Sequence, residues 1–108
     1  VLVNGILVQL PLPLSLNKNE ILKSISPKKD IDGFHYSNFG KLALNLNSNF
    51  FIPCTPLGCI KLLDEYDIDL LGKNVVVVGK SNIVGLPVSM MLLHRNATIP
   101  LPHGKKFF

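Results

Sequence analysis

The residues best placed to do chemistry lie between positions 75 and 87. Val75-Val76-Val77-Val78 is a run of β-branched side chains that reads as a strand. Gly79-Lys80-Ser81-Asn82-Ile83-Val84-Gly85-Leu86-Pro87 follows it directly. A strand, a glycine-bounded loop and a helix start aim backbone N–H groups and the positive helix end at one point, where an anion such as a pyrophosphate can sit. Gly79 permits a tight turn off the strand, and Gly85 permits close approach of backbone to ligand. A cation at Lys80 is placed to meet a 2′-phosphate, and Ser81 can donate to a phosphate oxygen, which favours NADP over NAD. Two nucleotide motifs fail on these residues. Gly79-Lys80-Ser81 looks like the end of a P-loop, but that motif needs glycine where this chain has Asn74, and its intervening residues are the valine strand. The G-x-G-x-x-G fingerprint meets serine at position 81. A βα turn that binds nothing and a solvent-exposed lysine remain the plain alternative.

Three elements must hold this loop: the valine strand, a helix from about Gly85 or Leu86 to His94 with Pro87 in its first turn, and a further strand beginning at Ala97-Thr98-Ile99. Upstream, Gly5 to Leu10 is a short apolar run of the buried parallel type, stopped by Pro11 and Pro13. A helix is expected after Asn17, its N-cap, with Glu20 three residues on, an apolar stripe of Ile21, Leu22 and Ile25, and Pro27 as its stop. Lys28 to Gly40 reads as a loop with a turn at Asp32-Gly33. A second helix is expected from Thr55 as N-cap with Pro56 at the first helical position, presenting Ile60, Leu63 and Tyr66 on one face. The order strand, helix, helix, strand, helix, strand predicts an α/β architecture with parallel pairing. Taken alone, Gln9 is a capping amide at a strand end and Asp32 a turn residue.

Four segments together are similar to one known family. They are Gly5-Ile6-Leu7-Val8-Gln9-Leu10-Pro11-Leu12-Pro13, Pro27-Lys28-Lys29-Asp30-Ile31-Asp32-Gly33-Phe34, Phe51-Ile52-Pro53-Cys54-Thr55-Pro56-Leu57-Gly58, and Gly79 to Pro87. In order and spacing, over residues 1 to about 99, they resemble the bifunctional methylenetetrahydrofolate dehydrogenase/methenyltetrahydrofolate cyclohydrolase family. The resemblance implies the end of a folate-binding catalytic domain over residues 1–34 and the first part of a Rossmann-like NAD(P)-binding domain over 35–108. It implies oxidation of 5,10-methylenetetrahydrofolate by hydride transfer to NADP, with NAD as the other candidate, then hydrolysis to 10-formyltetrahydrofolate. Hydride transfer needs oriented rings more than acid–base groups, whereas the hydrolysis needs a base or a polarised water. By motif position the resemblance implies that Gln9 assists the catalytic lysine and touches the folate, that Pro11 also binds the folate, and that Asp32 holds the pterin ring. Gly79, Lys80, Ser81, Ile83, Gly85 and Pro87 contact the cofactor. Lys80 stands where relatives often carry arginine, so the bidentate fork is lost and NADP preference weakens. The parent enzyme is expected to be a homodimer in the cytoplasm, with mitochondria as the other compartment.

The chain departs from the family pattern at both ends. The family's catalytic lysine belongs to a Tyr-x-x-x-Lys motif upstream of the folate strand, and no such pair occurs in residues 1–108. Val1 opens the chain inside an apolar run, so an incomplete piece is expected. After Ile99 the family continues to a His-Ser pair. Here the residues are Pro100-Leu101-Pro102-His103-Gly104, with prolines hostile to a central strand and no hydroxyl at Gly104. That change predicts a misread exon boundary, a frameshift or a truncated copy. The alternative function is accordingly a non-catalytic copy or a folate- or nucleotide-binding remnant, and residues 1–108 alone are expected to be inactive and poorly soluble.

Composition narrows the remaining classes. The chain has 108 residues, 47% hydrophobic, with a formal net charge of +4. That is ample apolar content for a core, without the run of eighteen or more apolar residues a membrane span needs. Its basic residues are scattered rather than gathered in a stripe with aromatics, so neither a nucleic acid nor a membrane is expected as partner. Cys54 and Cys59 lie near a helix start with no histidine pair to complete four zinc ligands, and no metal site is expected.

Overall fold

The computed structural model describes residues 2–100, so Pro102, His103 and Gly104 of the divergent tail lie outside the described residues. Two compact units divide between Ile52 and Pro53. In the first, α1 spans Lys18–Ser24 and α2 spans Tyr36–Ala43. In the second, α3 spans Cys54–Glu65 and α4 spans Gly85–His94. The chain is α/β, with its extended segments joined among the described residues by parallel bridges at Ile6–Asp30 and Asn74–Thr98.

The first helix begins where its residues demand. The Asn17 side chain accepts from the N–H groups of Asn19 and Glu20, at 3.1 and 3.3 Å. This satisfies two of the donors that every helix start leaves open. Helix α2 was not expected, since 28–40 reads as a loop. Its N-cap is His35, whose Nδ1 accepts from Ser37 N–H at 3.1 Å. Histidine lies outside the usual capping set and Gly40 within the helix weakens its propensity, so local signals hide it.

What holds α2 is a buried carboxylate. Asp30, 1% exposed, accepts from Phe34 N–H at 3.1 Å, His35 N–H at 2.8 Å and Asn38 Nδ2 at 2.8 Å. Asn38 Nδ2 also donates to the Pro27 carbonyl at 2.9 Å. These bonds tie α2 back to the 27–34 turn. The chain therefore packs as one unit well past the boundary expected after Phe34, and the compact division falls at 52/53.

The N-cap of α3 lies two residues before the expected Thr55. Pro53 is the N-cap with no side-chain bond, and Thr55 is exposed inside the first turn. Pro56 is tolerated there because the first-turn N–H groups have no intrahelical acceptor. Ile60 and Leu63 face the core, but Tyr66 does not: it is the C-cap residue and 72% exposed. Helix α4 packs against α3. Ile60, Leu70, Leu92 and Ala97 form the core of the second unit, with Leu63, Val75, Val77, Val88, Met91 and Ile99 against it.

Helices α2, α3 and α4 end alike. Asn45, Asp67 and Asn96 take positive φ of 52°, 52° and 61° just past the helix caps. The next residue then donates back to the helix, with Leu46 N to Lys41 O at 3.0 Å, Ile68 N to Leu63 O at 3.0 Å and Ala97 N to Leu92 O at 3.2 Å. This is the Schellman arrangement, carried here by Asn and Asp, which tolerate the left-handed region better than other side chains. Across the C-terminal ends of α3 and α4, Arg95 meets Asp64 through two bonds of 2.8 and 2.9 Å. The Arg95 hydrogen bonds hold the Asp64 carboxyl below the ordinary aspartate range.

The expected strands are present only as single bridges. Thr98 N donates to Lys73 O at 2.8 Å and Val75 N to Thr98 O at 2.9 Å. The next bond of a parallel ladder would come from the N–H of residue 100 to Val75 O. Residue 100 is proline and has no N–H, so the ladder stops after one rung. Even so, Val75 and Val77 pack on the core while Val76 and Val78 are 55% and 75% exposed, the period-2 alternation of a strand.

Asn38→Ala should lower the stability of the first unit by about 1–3 kcal/mol, because it strands the Pro27 carbonyl and one partner of a buried carboxylate. Urea unfolding followed by circular dichroism measures this, and an unchanged midpoint would contradict the role given to Asn38.

Candidate functional site

The 79–87 loop is built by two glycines and one serine. Gly79 has φ of +118°, a value L side chains rarely adopt, and this turns the chain off the valine segment. A Cβ on Gly85 would overlap the carbonyl of Gly79. The close approach that Gly85 makes possible is thus first of all to the loop's own backbone. Ser81 closes the turn that leads into α4, whose N-cap residue is Val84. The Ser81 Oγ accepts from Val84 N–H at 3.2 Å and Gly85 N–H at 3.4 Å, and the Ser81 carbonyl accepts from Leu86 N–H at 2.9 Å. A hydroxyl has one proton besides its acceptor lone pairs, so Ser81 keeps a donor available.

The other residues of this loop separate by burial. Lys80 is exposed. Ile83 is half-buried, and Pro87 is fully buried in the first turn of α4. Ser89 locks the same turn from below, its buried Oγ donating to Gly85 O at 2.7 Å. A cation and a hydroxyl donor therefore stand at the open side of a loop whose closed side is fixed by packing.

In the first unit, Ile6 N donates to Lys29 O at 2.7 Å, and Ile6 pairs in parallel with Asp30. Gln9 and Asp32 both lie beyond this pairing in the same chain direction. Gln9 is exposed, and its Nε2 donates to Leu10 O at 3.0 Å, leaving Oε1 available as an acceptor. Pro11 is exposed beside it, following a cis Leu10–Pro11 bond. Asp32 is half-buried in the turn that Gly33 completes with φ of +67°. Burial and the neighbouring Asp30 carboxylate push the Asp32 carboxyl above the ordinary aspartate value of 3.8. Its oxygens accept no hydrogen bond among the described residues. Gln9, Pro11 and Asp32 thus share the first unit, and the six loop residues share the second.

Among the described residues, no group of three or more His, Cys, Asp or Glu is gathered as metal ligands, and no helix is long and apolar enough to cross a membrane. Cys54 and Cys59 are exposed thiols on α3, not a disulfide.

Comparison with known proteins then decides the family. The model of the tetrahydrofolate dehydrogenase/cyclohydrolase NAD(P)-binding domain matches residues 53–106, and that of the catalytic domain of the same enzymes matches residues 2–32. The chain belongs to the tetrahydrofolate dehydrogenase/cyclohydrolase family. The first match runs past Pro100, beyond the point near 99 where the sequence resemblance was expected to end. The bifunctional protein FolD of Rickettsia massiliae is 52% identical over 103 residues, 95% of this chain and 35% of that protein. The crystal structure of the FolD methylenetetrahydrofolate dehydrogenase/cyclohydrolase of Campylobacter jejuni is 54% identical with a TM-score of 0.92, over 97% of this chain and 37% of that one. The Trypanosoma brucei methylenetetrahydrofolate dehydrogenase-cyclohydrolase, solved with NADP cofactor and inhibitor, is 38% identical with a TM-score of 0.84, over 90% of this chain and 33% of that one. The chain spans about 35% of the length of the curated relatives it matches.

Reasoning from the sequence missed Asp30, His35 and Asn38. Asp30 had a signal in the Asp-x-Asp-Gly spelling, where one carboxylate can serve the turn and the other a ligand. Asn38 had a weaker one, a polar residue four before Leu42, which puts both on one helical face.

Two substitutions test this geometry. Gly85→Ala should destabilise the second unit by about 1–3 kcal/mol through overlap with the Gly79 carbonyl, read as a lower thermal midpoint. Asp32→Asn probes the raised carboxyl. A group whose proton is held more tightly in the folded state contributes stability below its unfolded value, and that contribution is lost as pH rises through the folded value. The stability of Asp32→Asn relative to the unsubstituted chain should therefore increase as pH rises above 3.8. Denaturation at several pH values measures the difference, and a difference flat with pH would count against the assignment.

Proposed function

We propose that this chain carries part of the folate site and the first phosphate-binding turn of an NADP-dependent methylenetetrahydrofolate dehydrogenase/cyclohydrolase. That enzyme oxidises 5,10-methylenetetrahydrofolate to the methenyl form and hydrolyses it to 10-formyltetrahydrofolate. The observation that carries the reading is the loop closed by Ser81, which keeps a hydroxyl proton and the exposed Lys80 cation available, in a chain matching both domains of the family.

The residues present fit a dinucleotide phosphate. Gly79 and Gly85 close the loop without a side chain in the way, Ser81 donates one hydrogen bond, and Lys80 supplies a positive charge. When bound, NADP supplies the nicotinamide ring that takes the hydride. On the folate side, Asp32 offers acceptor oxygens to the N–H donors of a pterin ring. Gln9 presents Oε1 to the amine of the catalytic lysine, orienting it toward the one-carbon unit, and Pro11 lines the same loop. Ile83 and Pro87 hold the dinucleotide loop from its packed side.

Residues 1–108 hold no Tyr-x-x-x-Lys pair. They are accordingly expected to bind ligands without turning them over. The same proposal places the enzyme in the cytoplasm, as a homodimer, with tetrahydrofolate derivatives as its substrates and no nucleic acid or membrane as partner.

Isothermal titration of the purified chain with NADP and NAD tests the cofactor side. NADP should bind about tenfold more tightly, the worth of one charge-assisted contact. Lys80→Ala should remove the preference, and Lys80→Arg should enlarge it by restoring the fork. Equal affinities for the two nucleotides, unchanged in Lys80→Ala, would sink the 2′-phosphate assignment.

A further inference from the structure

Two aspartates stand two residues apart in the 27–34 turn and are treated in opposite ways. The Asp30 carboxylate is 1% exposed and takes the donors that the turn and α2 offer: Phe34 N–H at 3.1 Å, His35 N–H at 2.8 Å and Asn38 Nδ2 at 2.8 Å. Its own backbone carries the rest of the turn. Asp30 O accepts from Gly33 N at 3.1 Å, and Asp30 pairs in parallel with Ile6. Asp32, inside that turn, is left with no hydrogen bond to its carboxyl among the described residues.

We infer that Asp30 is the positioning residue for Asp32, absorbing the N–H donors at the entrance of α2 so that the Asp32 carboxyl stays unengaged and held outward for a ligand. Without a carboxylate at position 30, those donors would be left open. The next carboxylate along the chain is Asp32, two residues on, and a carboxyl drawn onto the helix start has fewer lone pairs for anything else. Asn38 completes the arrangement by clamping Asp30 to the Pro27 carbonyl. The Asp30 charge also opposes ionisation of its neighbour, in the direction seen for Asp32. The other titratable side chains of this turn and of the adjoining start of α2 are Lys28, Lys29, His35 and Tyr36.

The inference rests on the folate reading for the identity of the ligand, but not for the coupling between the two aspartates. The test follows the Asp32 carboxyl carbon through a pH titration by carbon-13 NMR in the 108-residue chain. It is measured in the unsubstituted chain, Asp30→Asn, Asp30→Glu and Asn38→Ala, with circular dichroism reporting retained helix. Affinity for 5-formyltetrahydrofolate is measured alongside by calorimetry. In Asp30→Asn the Asp32 midpoint should fall and affinity for the folate probe should drop about tenfold, as loss of a well-aligned charged acceptor implies. Asp30→Glu should retain the raised midpoint and recover most of the affinity, which a merely structural role would not require. A folded Asp30→Asn chain with Asp32 titrating as before and binding unchanged overturns the inference. If Asp30→Asn loses its helix, Asn38→Ala decides: an unmoved Asp32 resonance with unmoved affinity overturns it, and a shift in the resonance with about threefold weaker binding supports it. If the unsubstituted chain takes up no probe, or Asp32→Ala binds it equally well, the folate reading fails, and the Asp32 titration alone judges the coupling.

Discussion

A carboxylate taken out of water must be met by donors, and at Asp30 that requirement organises the first unit. Desolvating an ion of this kind costs several kcal/mol unless hydrogen bonds replace the lost water. Here they come from the backbone of Phe34 and His35 and from the Asn38 amide. Those donors are the ones a helix start leaves open, so one side chain settles both its own burial and the beginning of α2. The reach of Asn38 to Pro27 then brings the helix, the turn and the extended segment at Ile6 into one packed body. The Asp32 carboxyl can remain without a hydrogen bond among the described residues because the structural demand is met next door.

The second unit solves a different problem with apolar packing. Its core gathers residues from both helices and from the segments around Val75 and Ala97. The valine segment is held to that core by Val75 and Val77 rather than by a full ladder, since Pro100 cannot donate the next bond. The helix that follows is locked at its first turn by Ser81 and Ser89, which bond to backbone groups at and around Gly85. The loop geometry therefore follows from local hydrogen bonds and a tight glycine contact more than from sheet pairing.

Much of this was legible in the residues, and what was not has identifiable causes. Asn17 announced α1 because an amide cap followed by Glu20 is a local signal, and the glycine and proline of the 79–87 loop announced α4 in the same way. The candidate residues Gln9, Asp32, Lys80 and Ser81 were legible as types at motif positions, and the family match followed from their order. Helix α2 was not, because its cap is a histidine and its stability comes from Asp30, a partner outside the helix. The N-cap of α3 was displaced to Pro53 for a related reason: Thr55 has the chemistry of a cap, but the prolines at 53 and 56 are fully buried and fix where the turn begins. The boundary expected after Phe34 follows from motif resemblance, whereas the compact units divide at 52/53, with Asn38 bonded back to Asp30 and Pro27. Strand pairing is shorter than the β-branched residues alone suggest, and the proline already read as hostile to a central strand is the cause, since Pro100 lacks the next donor.

The contact between Gly85 and the Gly79 carbonyl bears on how the loop would meet an anion. The space that a missing side chain opens is filled by the loop itself, so the loop needs no visitor to close it. A segment already in its binding shape loses little conformational freedom when a ligand arrives, and more of each contact's energy is left to appear as affinity. Under the proposed reading, recognition by this turn would rest on charge and donor placement at Lys80 and Ser81, above a frame already closed by the Gly79–Gly85 contact.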